Sequence, residues 1–160
     1  MNRFGFVRIS AISAKTSVAN PRANAEEIVR LLEQVHDSDV VLFPELGITG
    51  YTCADLFGQS ALLEAGVQGA IRVRDATRGR RQLVVVGLPV AVGNSLFNCG
   101  IALADGRALG IVPKQFIPNY KEFYESRWFS SATGKEPAEV AFGGRAVPFG
   151  IDLLFEASGA

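Results

Sequence analysis

Histidine is almost missing from this sequence: His36 is the only one in 160 residues. A Ser-His-Asp triad or a multi-histidine metal site is therefore disfavoured. Cysteine is nearly as scarce. Cys53 and Cys99 form neither a CxxC metal pair nor a disulfide framework, which suits a reduced, cytosolic protein. The longest apolar run, LVVVGLPVAVG, is interrupted by Pro89 and is too short to span a bilayer. No charged segment followed by a long apolar stretch opens the chain, so no signal peptide is expected. Charge of one sign is not in excess: sixteen Lys and Arg face sixteen Asp and Glu. That leaves no basic footprint for nucleic acid or for an anionic membrane. No GxGxxG follows the first predicted strand, which argues against a dinucleotide-binding unit. FGGRAVPFG is glycine-rich, but it lies between predicted strands and reads as a hairpin turn rather than a phosphate loop.

What the chain does have is apolar material, 48% of its residues, enough for one sizeable core and one domain over 1–160. FGFVRISAIS (4–13) reads as a strand. Asn20-Pro21 opens a helix, with Asn as N-cap, Pro at the first helical position, and Glu26 and Glu27 early. Ile28, Leu31, Leu32 and Val35 form its apolar stripe, and His36 follows near its C-terminal end, where a partly cationic ring suits the dipole. Residues 39–44 read as a strand apolar on both faces, as in a sheet covered on both sides. Residues 59–79 read as a second helix. Strands follow at 82–92, 96–104 and 107–114, with turns at Gly93-Asn94 and Asp105-Gly106. Residues 115–137 read as irregular or partly helical, and 139–155 as two short strands about Gly143-Gly144. The order β-α-β-α followed by antiparallel hairpins predicts a layered α/β protein with a mixed sheet.

Two strand ends carry charge directly after a proline. In DVVLFPEL the run gives out at Pro44 and Glu45 follows. A poorly solvated carboxylate there has its pKa raised toward the range of a general base; the plainer alternative is a capping or salt-bridged glutamate. In LGIVPK, Lys114 follows Pro113. It could stabilise an oxyanion or hold a neighbouring carboxylate ionised; the alternative is a lysine snorkelling at a sheet edge. If both strands share a sheet and end on one side, the two charges meet where α/β sheets gather their sites. IPNYKEFYESRWF (117–129) then interleaves aromatics with charge and could line a pocket for a small polar substrate. Core packing remains the alternative for Phe123 and Trp128. Cys99, in mid-strand, reads as a buried structural thiol.

FPEL, VPK and the long block VPKQFIPNYKEFYESRWF are similar to segments of the nitrilase, or carbon–nitrogen hydrolase, superfamily. Together with GYTCADLF and VPFGIDLLF they resemble one branch of it most, the N-terminal glutaminase domains of glutamine-dependent NAD synthetases. The similarity runs through nearly the whole chain. It implies a nitrilase-like α-β-β-α sandwich with a mixed sheet, often doubled into a homo-oligomer, and a Cys-Glu-Lys mechanism acting on the small molecule L-glutamine. Glu45 would be the general base and Lys114 the oxyanion stabiliser. Tyr120 would match a tyrosine that contacts the substrate, and Glu125 a second glutamate that supports the lysine. No metal or cofactor is implied for the glutaminase step; ATP and Mg²⁺ would serve a C-terminal synthetase domain absent from these 160 residues.

The family's nucleophile lies in a motif like ExCED, after the strand that follows VPFGIDLLF. These residues stop at FEASGA, before such a motif, and Cys53 is not at the family's nucleophile position. The expectation is therefore a partial domain, inactive by itself, from the front of a longer protein. Another amidase of the superfamily, or a non-catalytic fragment or interaction module, are the alternatives.

Overall fold

The computed structural model describes residues 6–156. Strand β1 (Ile9–Ala11) leads into helix α1 (Pro21–Leu32), then strand β2 (Val40–Leu42), helix α2 (Ser60–Ala76) and strand β3 (Leu83–Val92). Strands β4 (Ser95–Ala104) and β5 (Arg107–Pro113) follow as hairpins. One five-stranded sheet results, in sequence order, parallel through β3 and antiparallel beyond it. A separate hairpin, β6 (Glu139–Phe142) and β7 (Arg145–Pro148), follows. The mixed sheet, the two helical crossovers and the terminal hairpin agree with the sequence reading.

Local chemistry sets these boundaries. Asn20 caps α1 by accepting from the Ala23 N–H at 3.2 Å, and Pro21 takes the first position, where no donor is needed. Glu26 and Glu27, expected at its start, fall in its second turn, where Glu27 pairs with Arg30 at 2.7 Å instead. The helix ends at Leu32, so Val35 packs on the core from beyond it and His36 stands exposed in the following loop. The hairpin turns at Asp105-Gly106 and Gly143-Gly144 hold both residues at positive φ, the backbone a tight two-residue turn demands. Asp105 also accepts from the Gly79 N–H at 2.9 Å, fastening that turn to the end of α2.

The core lies on one face of the sheet. Val41, Val84, Val86, Leu88, Ile101, Leu103 and Ile111 point to α1 and α2, which answer with Ala25, Ile28, Leu32, Ala70 and Val73. Burying each of the larger aliphatic side chains contributes about 1.5–3 kcal/mol. The hairpin covers the same face through Phe142 and Val147.

The opposite face differs from expectation at β1 and β2. Leu42 is 37% exposed and Ile9 59%, because among the described residues no layer packs there. Farther along, Leu153 and Phe155 lie over Gly110 of β5. The first strand is also shorter than predicted: it pairs only with β2, over three residues. Residues 4 and 5 of the expected strand, and the last four residues of FEASGA, lie outside the described residues. No helix among the described residues is long and apolar enough to cross a membrane.

Candidate active site

After β2 the chain makes one more sheet bond, Phe43 N–H to Val85 O, and then turns. The Gly47 N–H closes onto Pro44 O at 2.9 Å, and Leu46 takes the left-handed conformation with φ 51°. Leu46 is fully buried with Cys53, Phe57, Leu62 and Phe129. That apolar anchor holds a backbone conformation that costs a non-glycine residue about 1 kcal/mol or more. It also turns the preceding residue, Glu45, outward at the C-terminal end of the parallel strands. Gly87 of β3 makes the turn possible: a Cβ there would collide with Leu46 N and stand 2.8 Å from Pro44 O.

Lys114 follows β5. Its N–H donates to Asn98 O on β4 at 2.8 Å, which carries the sheet register one step past Pro113. Glu125 comes from a single 3₁₀ turn, Glu125–Arg127, in the aromatic loop. The loop is fastened to a second 3₁₀ turn, Ala54–Gly58. Arg127 grips Asp55 with two hydrogen bonds at 2.7 and 2.9 Å, and the Trp128 indole donates to the same carboxylate. Those contacts hold the Asp55 carboxyl at about 2. Phe129 packs on Phe57 at 4.9 Å and Trp128 on Phe57 at 5.8 Å, so Trp128 serves the smaller core cluster.

These three strand and loop ends converge. Lys114 Nζ lies 2.7 Å from Glu45 Oε1 and 3.0 Å from Glu125 Oε2. The Glu125 side chain is 4% exposed, the Glu45 side chain 45%. One ammonium thus ties a buried carboxylate to one that faces solvent. Burial pulls the Lys114 pKa down, but its hydrogen bonds and charge attraction to both glutamates outweigh that and leave it raised. A lysine so placed stays cationic at neutral pH, as an oxyanion stabiliser must.

Two further residues join the cluster that the sequence reading missed. Tyr51 donates its hydroxyl to Glu125, and Asn98 donates its amide to Glu45 Oε1. Asn98 had one signal, a polar side chain inside the apolar strand LFNCGIALA; Tyr51 had none beyond its place in GYTCADLF. Beside Glu125, a cavity of ≈ 150 Å³ opens between Tyr51, Phe123, Tyr124 and Trp128. Tyr120 stands apart: its ring meets Phe123 at 5.7 Å and it is 62% exposed.

Neither cysteine belongs to the cluster. Cys53 Sγ donates to Thr49 O and Gly50 O inside the pocket that holds Leu46. Cys99 points to the helix-covered face of β4, away from Asn98. Burial raises both thiols, the reverse of what activates a nucleophile. Among the described residues no group of three or more His, Cys, Asp or Glu could hold a metal ion.

A carbon–nitrogen hydrolase model matches residues 8–153. A glutamine-dependent NAD(+) synthetase of Mycobacterium tuberculosis is 35% identical over 156 residues, 96% of this chain but 23% of its own length. The chain therefore spans about a quarter of such relatives. In structure it is similar to a glutamine-dependent NAD(+) synthetase from Cytophaga hutchinsonii, with TM-score 0.86 and 25% identity over 95% of this chain and 26% of that one. It also shares its fold with an amidase from Nesterenkonia sp., with TM-score 0.62 and 22% identity over 88% of this chain and 53% of that one.

Proposed function

The chain belongs to the carbon–nitrogen hydrolase family, and on that premise we propose that it is the base-and-lysine part of a glutaminase domain supplying ammonia to an NAD synthetase. The observation that carries the proposal is the single Lys114 ammonium held between Glu45 and Glu125. The relatives that cover nearly all of this chain, and whose names specify glutamine, support the choice of substrate.

The chemistry assigns each group a task. A thiol is mostly protonated at neutral pH, so a base must first take its proton. Glu45, the more exposed carboxylate, does this. The thiolate attacks the side-chain amide carbon of glutamine. Negative charge gathers on the amide oxygen, where Lys114 offsets it; one such donor is worth roughly 10²–10³ in kcat. The C–N bond breaks as Glu45 returns the proton to nitrogen, and ammonia leaves a thioester behind. Glu45 then takes a proton from water, whose attack releases glutamate and the thiol. Glu125 touches none of the reacting atoms in this scheme; it holds Lys114. Tyr120 takes its substrate-contacting role from the family resemblance alone, since it stands apart from the cluster.

The thiol of this scheme lies outside these residues, because Cys53 and Cys99 are buried elsewhere. The synthetase step, with its ATP and Mg²⁺, lies outside them too. The 160-residue chain by itself should therefore release no ammonia from L-glutamine. Ammonia release by the pure chain, lost on Glu45→Ala, would sink this assignment of the nucleophile. Comparing glutamine with asparagine and short aliphatic amides in the complete gene product separates a glutaminase from a general amidase.

A further inference from the structure

The Glu45 carboxylate is gripped on one oxygen only. Lys114 Nζ donates to Oε1 at 2.7 Å, and Asn98 Nδ2 donates to the same atom. Among the described residues no hydrogen bond engages Oε2. Asn98 is 3% exposed, between Phe97 and Cys99 on a strand otherwise apolar or small. An amide buried there loses its water and must find partners within the protein. It finds one in Glu45, while the Asn98 backbone carbonyl accepts the Lys114 backbone N–H at 2.8 Å. One residue thus fixes the backbone of the lysine and the side chain of the glutamate.

Space for this contact comes from the sheet register. Gly87 pairs with Gly100 and Pro89 with Asn98, so all four lie on one face. The missing side chain at Gly87 lets the Pro44–Leu46 turn sit on β3, and Glu45 reaches the next polar group along that face. The ion pair with Lys114 cannot do this work alone. Glu45 is nearly half exposed, exposed ion pairs are weak, and a glutamate has several rotamers to lose.

From this geometry we infer that Asn98 is a positioning residue: with Lys114 it occupies Oε1 of Glu45 and leaves Oε2 as the oxygen that accepts the proton. The inference rests on the glutaminase assignment for the role of Oε2 and on geometry alone for the clamp. Asn98→Leu keeps the branching and heavy-atom count of the side chain, at some gain in bulk, while removing the donor. The readout is the side-chain NMR titration of Lys114, whose charged neighbours are Glu45 and Glu125, with Tyr51 behind Glu125. In Asn98→Leu, Glu45 swings into solvent and Lys114 titrates at lower pH than in the wild type, close to its value in Glu45→Gln. The double variant then shows no further shift, since both changes remove one interaction. A general loss of packing lowers the melting temperature without this signature. Asn98→Thr, β-branched and too short to reach Glu45, gives the same shift if the leucine variant folds poorly. A folded variant whose Lys114 titrates as in the wild type overturns the inference. The shift without glutamine hydrolysis in the complete gene product counts against the glutaminase assignment alone.

Discussion

The Tyr51 hydroxyl donates to Glu125 Oε1 at 2.6 Å, across 74 positions of sequence. Glu125 is buried, and Lys114 Nζ reaches both of its oxygens, Oε1 at 3.2 Å and Oε2 at 3.0 Å, so Tyr51 adds a second, shorter bond at Oε1. Burial first, and then the bond to Glu125 and the charges of Glu125 and Glu45, push the Tyr51 phenol above its ordinary value of 10.0. The folded chain therefore keeps a proton that the unfolded chain gives up near pH ~10. This stability is fully present below that pH and is lost as pH rises through and beyond it. Ultraviolet titration of the three tyrosines should show one ionising later than the others, and Tyr51→Phe should remove that late step. Urea unfolding of Tyr51→Phe should show a loss of roughly 1.5 kcal/mol, the low end for a bond to a charged group. Three tyrosines titrating together would contradict this.

Gly87 and Gly100 face each other across β3 and β4 yet should respond oppositely to alanine. At Gly87 the new Cβ meets backbone atoms of the turn that carries Glu45, which cannot rotate away. A cost of roughly 1–3 kcal/mol or more follows, with Glu45 displaced from Lys114. At Gly100 the nearest atom is Val85 Cγ1 at 3.6 Å, an ordinary contact. Gly100→Ala should be neutral or stabilising by up to ~1 kcal/mol, since alanine has less freedom to lose. Denaturant midpoints of the two variants decide the matter, and equal midpoints would count against the turn's reliance on Gly87.

Both thiols should resist a disulfide reagent such as DTNB in the folded chain at pH 8 and react fully once it is unfolded, two per chain. Burial explains the resistance, both by excluding the reagent and by raising the thiol pKa values. Cys53→Ala should leave the Glu45–Lys114 contact in place. Rapid reaction of Cys53 in the native protein would reopen its candidacy as the nucleophile.

Glu45 and Lys114 were legible in the sequence because each follows a proline at the end of an apolar run, a local pattern. Their meeting was legible only as a condition, that both strands end on one side of one sheet, and the parallel-then-antiparallel order meets it. Glu125 needed the family resemblance, since a glutamate inside an aromatic loop has no local mark of burial. Asn98 and Tyr51 escaped notice because their partners are set by the β3–β4 register and by the docking of two distant 3₁₀ turns. The outward face of β2 misled for a related reason: VVLF is apolar throughout, and a one-dimensional pattern does not say which layers are present to cover it.

Ammonia release from L-glutamine by the product of the complete open reading frame containing these residues, with and without Glu45→Gln, tests the central claim most directly. A working centre built on Glu45 predicts release in the wild type and a fall in kcat of roughly 10²–10⁴-fold in the variant. Glutamine hydrolysis that survives Glu45→Gln undiminished would contradict it.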